Sequence, residues 1–156
     1  MLDMSIARAL HVMAVVHWIG GVSFVTLVLL PGVRRFAAPS DQADMFTRVE
    51  AAFSWQAKLS VTLAGLTGFY MIHSLAAWGR FLDSGFWWMH AMVAIWLIFS
   101  LVLFVFEPLF LHRWFEASAA VDPVGTLNRV QTAHYVLMIV SMITIGAAVL
   151  GAHGAL

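Results

Sequence analysis

At 156 residues, 62% hydrophobic and only 10% charged, with a mean hydropathy of +0.91, the chain falls outside ordinary soluble domains, in which roughly a quarter of residues are charged. A formal net charge of zero offers no basic surface to nucleic acid. The lack of cysteine excludes disulfides, thiolate metal sites, iron–sulfur clusters and covalently attached c-type haem, leaving seven histidines and nine methionines as candidate metal ligands.

The composition predicts one all-α integral membrane domain over 1–156, a four-helix bundle running up-down-up-down. Its spans are expected at about 4–30, 53–78, 86–111 and 127–152, each near the roughly 20 apolar residues that crossing a bilayer requires. The first does not read as a cleavable signal: Asp3 precedes Arg8, the apolar run exceeds a signal core, and no small-x-small site follows. Pro31-Gly32 should stop it, with Arg34 and Arg35 immediately after. Ser40-Asp41-Gln42-Ala43-Asp44 then starts an amphipathic helix that passes Arg48, Glu50 and Lys58 into span two. A short turn over 79–85, with Arg80 and Asp83, leads to span three, which should end near Glu107-Pro108. Asp122-Pro123 and Gly125-Thr126 break the chain before span four.

The cations set the expected orientation. Arg34, Arg35, Arg48, Lys58, Arg113 and Arg129 lie at one end, against Arg8 and Arg80 at the other. By the positive-inside rule both termini should be outside, which is periplasmic for a bacterial inner membrane. Trp78, Trp87 and Trp88 would anchor one interface, Trp55 and Trp114 the other. Polar landmarks also recur at nearly one offset. His11 and Trp18 through Pro31 are echoed by His90 and Trp96 through Pro108, Arg48 by Arg129, and His73 by His153. This reads as two tandem helical hairpins related by an axis along the membrane normal.

Polar rings in hydrocarbon are costly unless they have a purpose, so the histidines are the candidate site. At 1.5 Å of rise per residue, His11 lies about 10 Å inside span one, and His73 and His90 lie at similar depths from the same face. Ala14, Val15 and Trp18 share the His11 face, Thr62 and Phe69 that of His73, and Val93, Ala94 and Leu97 that of His90. Such walls suit a planar macrocycle and ordinary helix packing alike. His17 is deeper, and Gly20 and Gly21 follow it, permitting close approach of a helix or a flat cofactor. His134 and His153 are weaker candidates, and His112 belongs to the solvated boundary. Neutral imidazole is the usual axial donor to haem b, whereas Met13, Met71, Met89 and Met92 beside these histidines would favour Cu(I). Asp and Glu are confined to ends and loops, so no hydrolytic arrangement is visible, and Glu107-Pro108 reads as a boundary feature.

Ala9-Leu10-His11, Trp18-Ile19-Gly20-Gly21, Leu30-Pro31 and Arg34-Arg35 resemble the opening helix of the copper-resistance protein D (CopD) family. They are also similar to the HemJ family of small membrane proteins linked to protoporphyrinogen oxidation. Trp88-Met89-His90-Ala91 resembles the third-helix motif of HemJ. The resemblance implies that His11 and His90 are the functional histidines, with haem b on the HemJ side and copper on the CopD side. Met92 stands where HemJ proteins carry a lysine, and the polar positions that close the first helix of HemJ are absent, so the resemblance does not extend to the oxidase activity and leaves haem binding open. The chain corresponds at most to the core that CopD proteins share.

The expected protein is thus a membrane-embedded haem b carrier for electron transfer. His11 is the ligand, with His90 or His73 opposite and His17, Trp18 and Gly21 as further cofactor contacts. Quinol and a redox protein are the expected exchange partners. A Cu(I)-handling protein, or a structural subunit or homo-oligomer with packed histidines, are the other readings.

Overall fold

The computed structural model describes residues 2–38 and 40–155. Among them the chain is all-helical, without a strand, and forms four long rods: α1 (Leu2–Phe36), α2 (Gln42–Ser74), α3 (Ser84–Val121) and α4 (Pro123–Ala152). Three of these, α1, α3 and α4, are long and apolar enough to cross a membrane. α2 is as long, at 33 residues, but Ser54, Lys58, Ser60, Thr67 and His73 dilute its apolar character below that of the others.

The proline stops behave differently from expectation. Pro31 follows a π-helical turn, Val25–Leu29, and the helix runs on to Phe36. Glu107 and Pro108 lie within a longer π-helical stretch, Val102–Leu111, and α3 continues to Val121. A proline ring clashes with the carbonyl one α-turn earlier and lacks the N–H that should bond to it. The wider π turn changes that spacing, so the rod persists past both prolines. True breaks occur elsewhere. Ala76 takes a left-handed φ of 50° after α2, and a 3₁₀ turn, Ala77–Leu82, leads to α3. Asp122 caps α4 by accepting from Gly125 N–H at 2.8 Å, with Pro123 in the first turn.

α1 and α2 form the most extensive pairing, α3 packs with α4, and α2 also touches α3 and α4. Bonds from His11 to Ala64 and from His17 to Ser60 run the first pair antiparallel. Small buried residues on α2, Ala57, Ala64 and Gly65, let its neighbours approach closely. The Trp96 indole of α3 lies over Gly65 and donates to the Val61 carbonyl at 2.9 Å. Apolar side chains gather at three levels. Leu29, Leu30, Val33, Phe46, Phe115 and Leu127 fill the loop end, where α1 joins α2 and α3 joins α4. Trp18, Ile19, Val22, Val61 and Phe99 fill the middle, and Trp88, Met89 and Ala147 the end nearer the termini.

Candidate functional site

His11 sits on the α1–α2 seam, half-buried, with its ring against Gly68, where a Cβ would meet the imidazole Cε1 at 3.2 Å. Its Nδ1 lies 2.9 Å from the Ala64 carbonyl and 3.1 Å from Thr67 Oγ1. A carbonyl can only accept, so Nδ1 carries the proton. Thr67 already donates to the Leu63 carbonyl at 2.6 Å and accepts the other branch. The neutral ring therefore keeps its Nε2 lone pair unused, which is the tautomer and the anchoring that a metal-ligating imidazole requires. His17, one and a half turns on, reaches the buried Ser60 hydroxyl with Nδ1 at 2.8 Å. A hydroxyl donates or accepts, so this contact fixes no tautomer.

His90 is placed differently. Its Nε2 bonds to the Phe81 carbonyl at 3.0 Å and its Nδ1 faces the Phe86 carbonyl at 3.4 Å. The shorter bond puts the proton on Nε2, and the ring stands edge-on to Phe81 at 5.2 Å between centroids. His90 thereby ties the α2–α3 connection to α3, and of the residues predicted to share its face Ala94 and Leu97 are exposed and Val93 is half-buried. His73 is exposed in the last turn of α2, and its ring makes no hydrogen bond among the described residues. His11 and His90 share no partner, and no group of three His, Cys, Asp or Glu among the described residues is placed to hold a metal ion. His134 and His153 bond back to the carbonyls of Val130 and Val149 within α4. His112 pairs with Glu116 at 3.2 Å on an exposed surface.

The expected cofactor contacts are divided as well. Trp18 is 4% exposed and meets Phe99 edge-on at 4.7 Å, yet its Nε1 is buried with no partner. Gly21 is covered by the Phe53 ring and Gly65 by Trp96, so both glycine cradles in the middle of the molecule are filled by aromatic side chains, while Gly20 faces open space. Free volume lies further toward the termini. A shallow cavity of about 360 Å³ is bordered by Asp3, Ile6, Leu10, Leu66, Thr67 and Tyr70, and His11 is not part of its lining. Its size is at the lower end for small-molecule sites. His11 thus offers one imidazole on the α1–α2 seam, and the histidines do not form a two-histidine clamp across the middle.

A second polar constellation was hidden from sequence reasoning. Glu107 turns toward α2, where Ser54 Oγ lies 2.7 and 2.8 Å from its two carboxylate oxygens and Lys58 Nζ donates at 3.1 Å. Ser54 and Lys58 precede it by 53 and 49 residues, so no local window connects them. The four-residue spacing of Glu50, Ser54 and Lys58 on a helix was the available signal. Compared with known proteins, the chain matches no family model, no curated protein and no solved structure.

Proposed function

We propose that the chain is a membrane-embedded haem b protein working in electron transfer, with His11 as the iron ligand and a quinol and a redox protein as exchange partners. The observation that carries this reading is the His11 Nδ1–Ala64 carbonyl bond of 2.9 Å, which leaves Nε2 available in an apolar seam. Bound haem supplies a one-electron couple, and the chain supplies the imidazole, its orientation and dry surroundings. The resemblance to HemJ proteins at His11 supports the same assignment, whereas the resemblance to CopD proteins favours copper at that residue. His73 and His17 are the remaining second-ligand positions, because Nε2 of His90 is engaged by Phe81.

The membrane arrangement proposed with it is a four-span, up-down-up-down bundle in a bacterial inner membrane, both termini periplasmic. α2 tolerates the bilayer because the polar side chains of its middle are bonded internally wherever they turn inward: Ser54 and Lys58 to Glu107, Ser60 to His17 and Thr67 to the Leu63 carbonyl, with the outward Thr62 bonded to the Lys58 carbonyl. Lipid supplies no such partners.

A visible spectrum of the purified protein, supplied with haem during expression, tests the reading. A reducible Soret band with a sharp alpha band is expected. His11→Ala should lower haem retention by at least about tenfold, the scale already reached when mere outer-shell partners are lost, whereas His90→Ala should retain it. Haem content unchanged in His11→Ala removes the assignment, and a colourless protein with stoichiometric copper replaces haem by Cu(I).

A further inference from the structure

Glu50, Ser54 and Lys58 recur every fourth residue on α2 and so line one stripe facing the π-helical part of α3. Glu107 closes the stripe from the other side, held by Ser54 and Lys58 at 2.7 to 3.1 Å. Lys58 and Glu107 are only 29% and 24% exposed, so water screens them poorly. The charges do not balance. Two carboxylates face one ammonium, which leaves one negative charge over in a half-buried, largely apolar setting. An unbalanced charge there is costly, and taking up one proton removes it.

We propose that Glu50 and Glu107 together form a proton-binding site at the loop end of the bundle, holding one exchangeable proton with Lys58 as the fixed countercharge. Uptake converts two carboxylates and an ammonium into one carboxylic acid, one carboxylate and one ammonium, with no net charge. Release returns the proton to water, and no electron moves. Ser54 suits both states, because a hydroxyl donates to a carboxylate and accepts from an acid. Glu50 lies outside the apolar span, and its environment agrees. Burial first, and then repulsion from Glu107, push its carboxyl above the usual range, against weaker pulls from Lys58 and His112. The other charges at this end are distributed over every helix and both connections: Arg34 and Arg35 on α1, Asp41 and the exposed Asp44–Arg48 pair at the start of α2, the His112–Glu116 pair and Arg113 on α3, Asp122 before α4 and Arg129 on it. Arg34, Arg35, Arg113, Arg129, Asp41 and Asp122 are not among the charges that shift Glu50, and Arg48 and Glu116 are engaged with Asp44 and His112. The site does not depend on a haem.

Infrared titration of the full chain in lipid nanodiscs, in H₂O and D₂O, reads the site directly. One carboxylic acid C=O band should persist above the pH at which the exposed acids have ionised. Glu50→Gln should abolish that band. Glu107→Gln should move its midpoint down by about one pH unit, and Lys58→Met should move it up by a smaller amount. Absence of such a band in the wild type, or a midpoint that neither Glu107→Gln nor Lys58→Met displaces, overturns the proposal. Should Glu107→Gln not fold, Glu50→Gln and Lys58→Met decide alone: a lost band and a raised midpoint uphold the site, and any other result overturns it.

Discussion

An imidazole placed in hydrocarbon needs a partner for its N–H, and the partner chosen decides what the ring can still do. His11 uses a carbonyl on the neighbouring helix and keeps a lone pair, whereas His90 spends Nε2 on Phe81. Two histidines that look equivalent along the chain therefore differ in ligating capacity. The same dependence on partners governs Glu50. Its ordinary value is 4.5, and in the folded chain burial and Glu107 raise it. Over the window beginning at 4.5 the folded protein holds a proton that the unfolded chain has released. The native state then binds more protons, so stability falls as pH rises through that window and levels off once the folded site has ionised. A single proton limits the slope to about 1.4 kcal/mol per pH unit. Glu50→Gln should remove this contribution. Thermal unfolding in detergent across the acidic to neutral range should show a flatter profile for the variant and a higher midpoint than wild type at neutral pH. A wild-type profile that rises with pH over the window would contradict a raised Glu50.

At the scale of elements, α2 is the helix on which the others depend, and its glycine at position 65 shows how closely. A Cβ there would stand 2.7 Å from indole atoms of Trp96. That indole cannot easily move, being bonded to the Val61 carbonyl and edge-on to Phe69 at 5.4 Å. Gly65→Ala should therefore cost about 1–3 kcal/mol by overpacking. Gly146→Ala on α4, with no atom within 4 Å of the added carbon, should be neutral or stabilising by up to about 1 kcal/mol. Unfolding midpoints of the two variants in one detergent make the comparison, and equal midpoints would place Trp96 elsewhere. The apolar segments and their order were legible in the sequence, because they are local signals. The packed face of α3 was not. A helix apolar all round carries no periodic cue to its inward side, so the stripe of His90, Ala94 and Leu97 could be placed inside on equal grounds. Glu107 beside Pro108 read as an ending because the π turn that carries the helix past it, and the Ser54 and Lys58 that satisfy it, belong to tertiary structure.

For the whole molecule the deciding question is how many times the chain crosses, since α2 alone lacks the apolar length shared by α1, α3 and α4. With four crossings, the α1–α2 link lies opposite the termini and the α2–α3 link lies on their side. If α2 remained on one surface, the two links would lie together. The cation distribution adds a direction, because six of the eight Lys and Arg residues cluster toward the α1–α2 and α3–α4 connections. The chain contains no cysteine, so single substitutions report position without background. Ser40→Cys, Ser84→Cys and Ala155→Cys sit at three exposed connections or ends. A membrane-impermeant maleimide applied to intact spheroplasts should label Ser84→Cys and Ala155→Cys at once, and Ser40→Cys only after permeabilisation. Labelling of Ser40→Cys alone would reverse the orientation and keep the four crossings. Ser40→Cys and Ser84→Cys reacting together would take α2 out of the bilayer. The proton site would then face water on the same side as both links, and the internal bonding of α2 would need another explanation than the absence of partners in lipid.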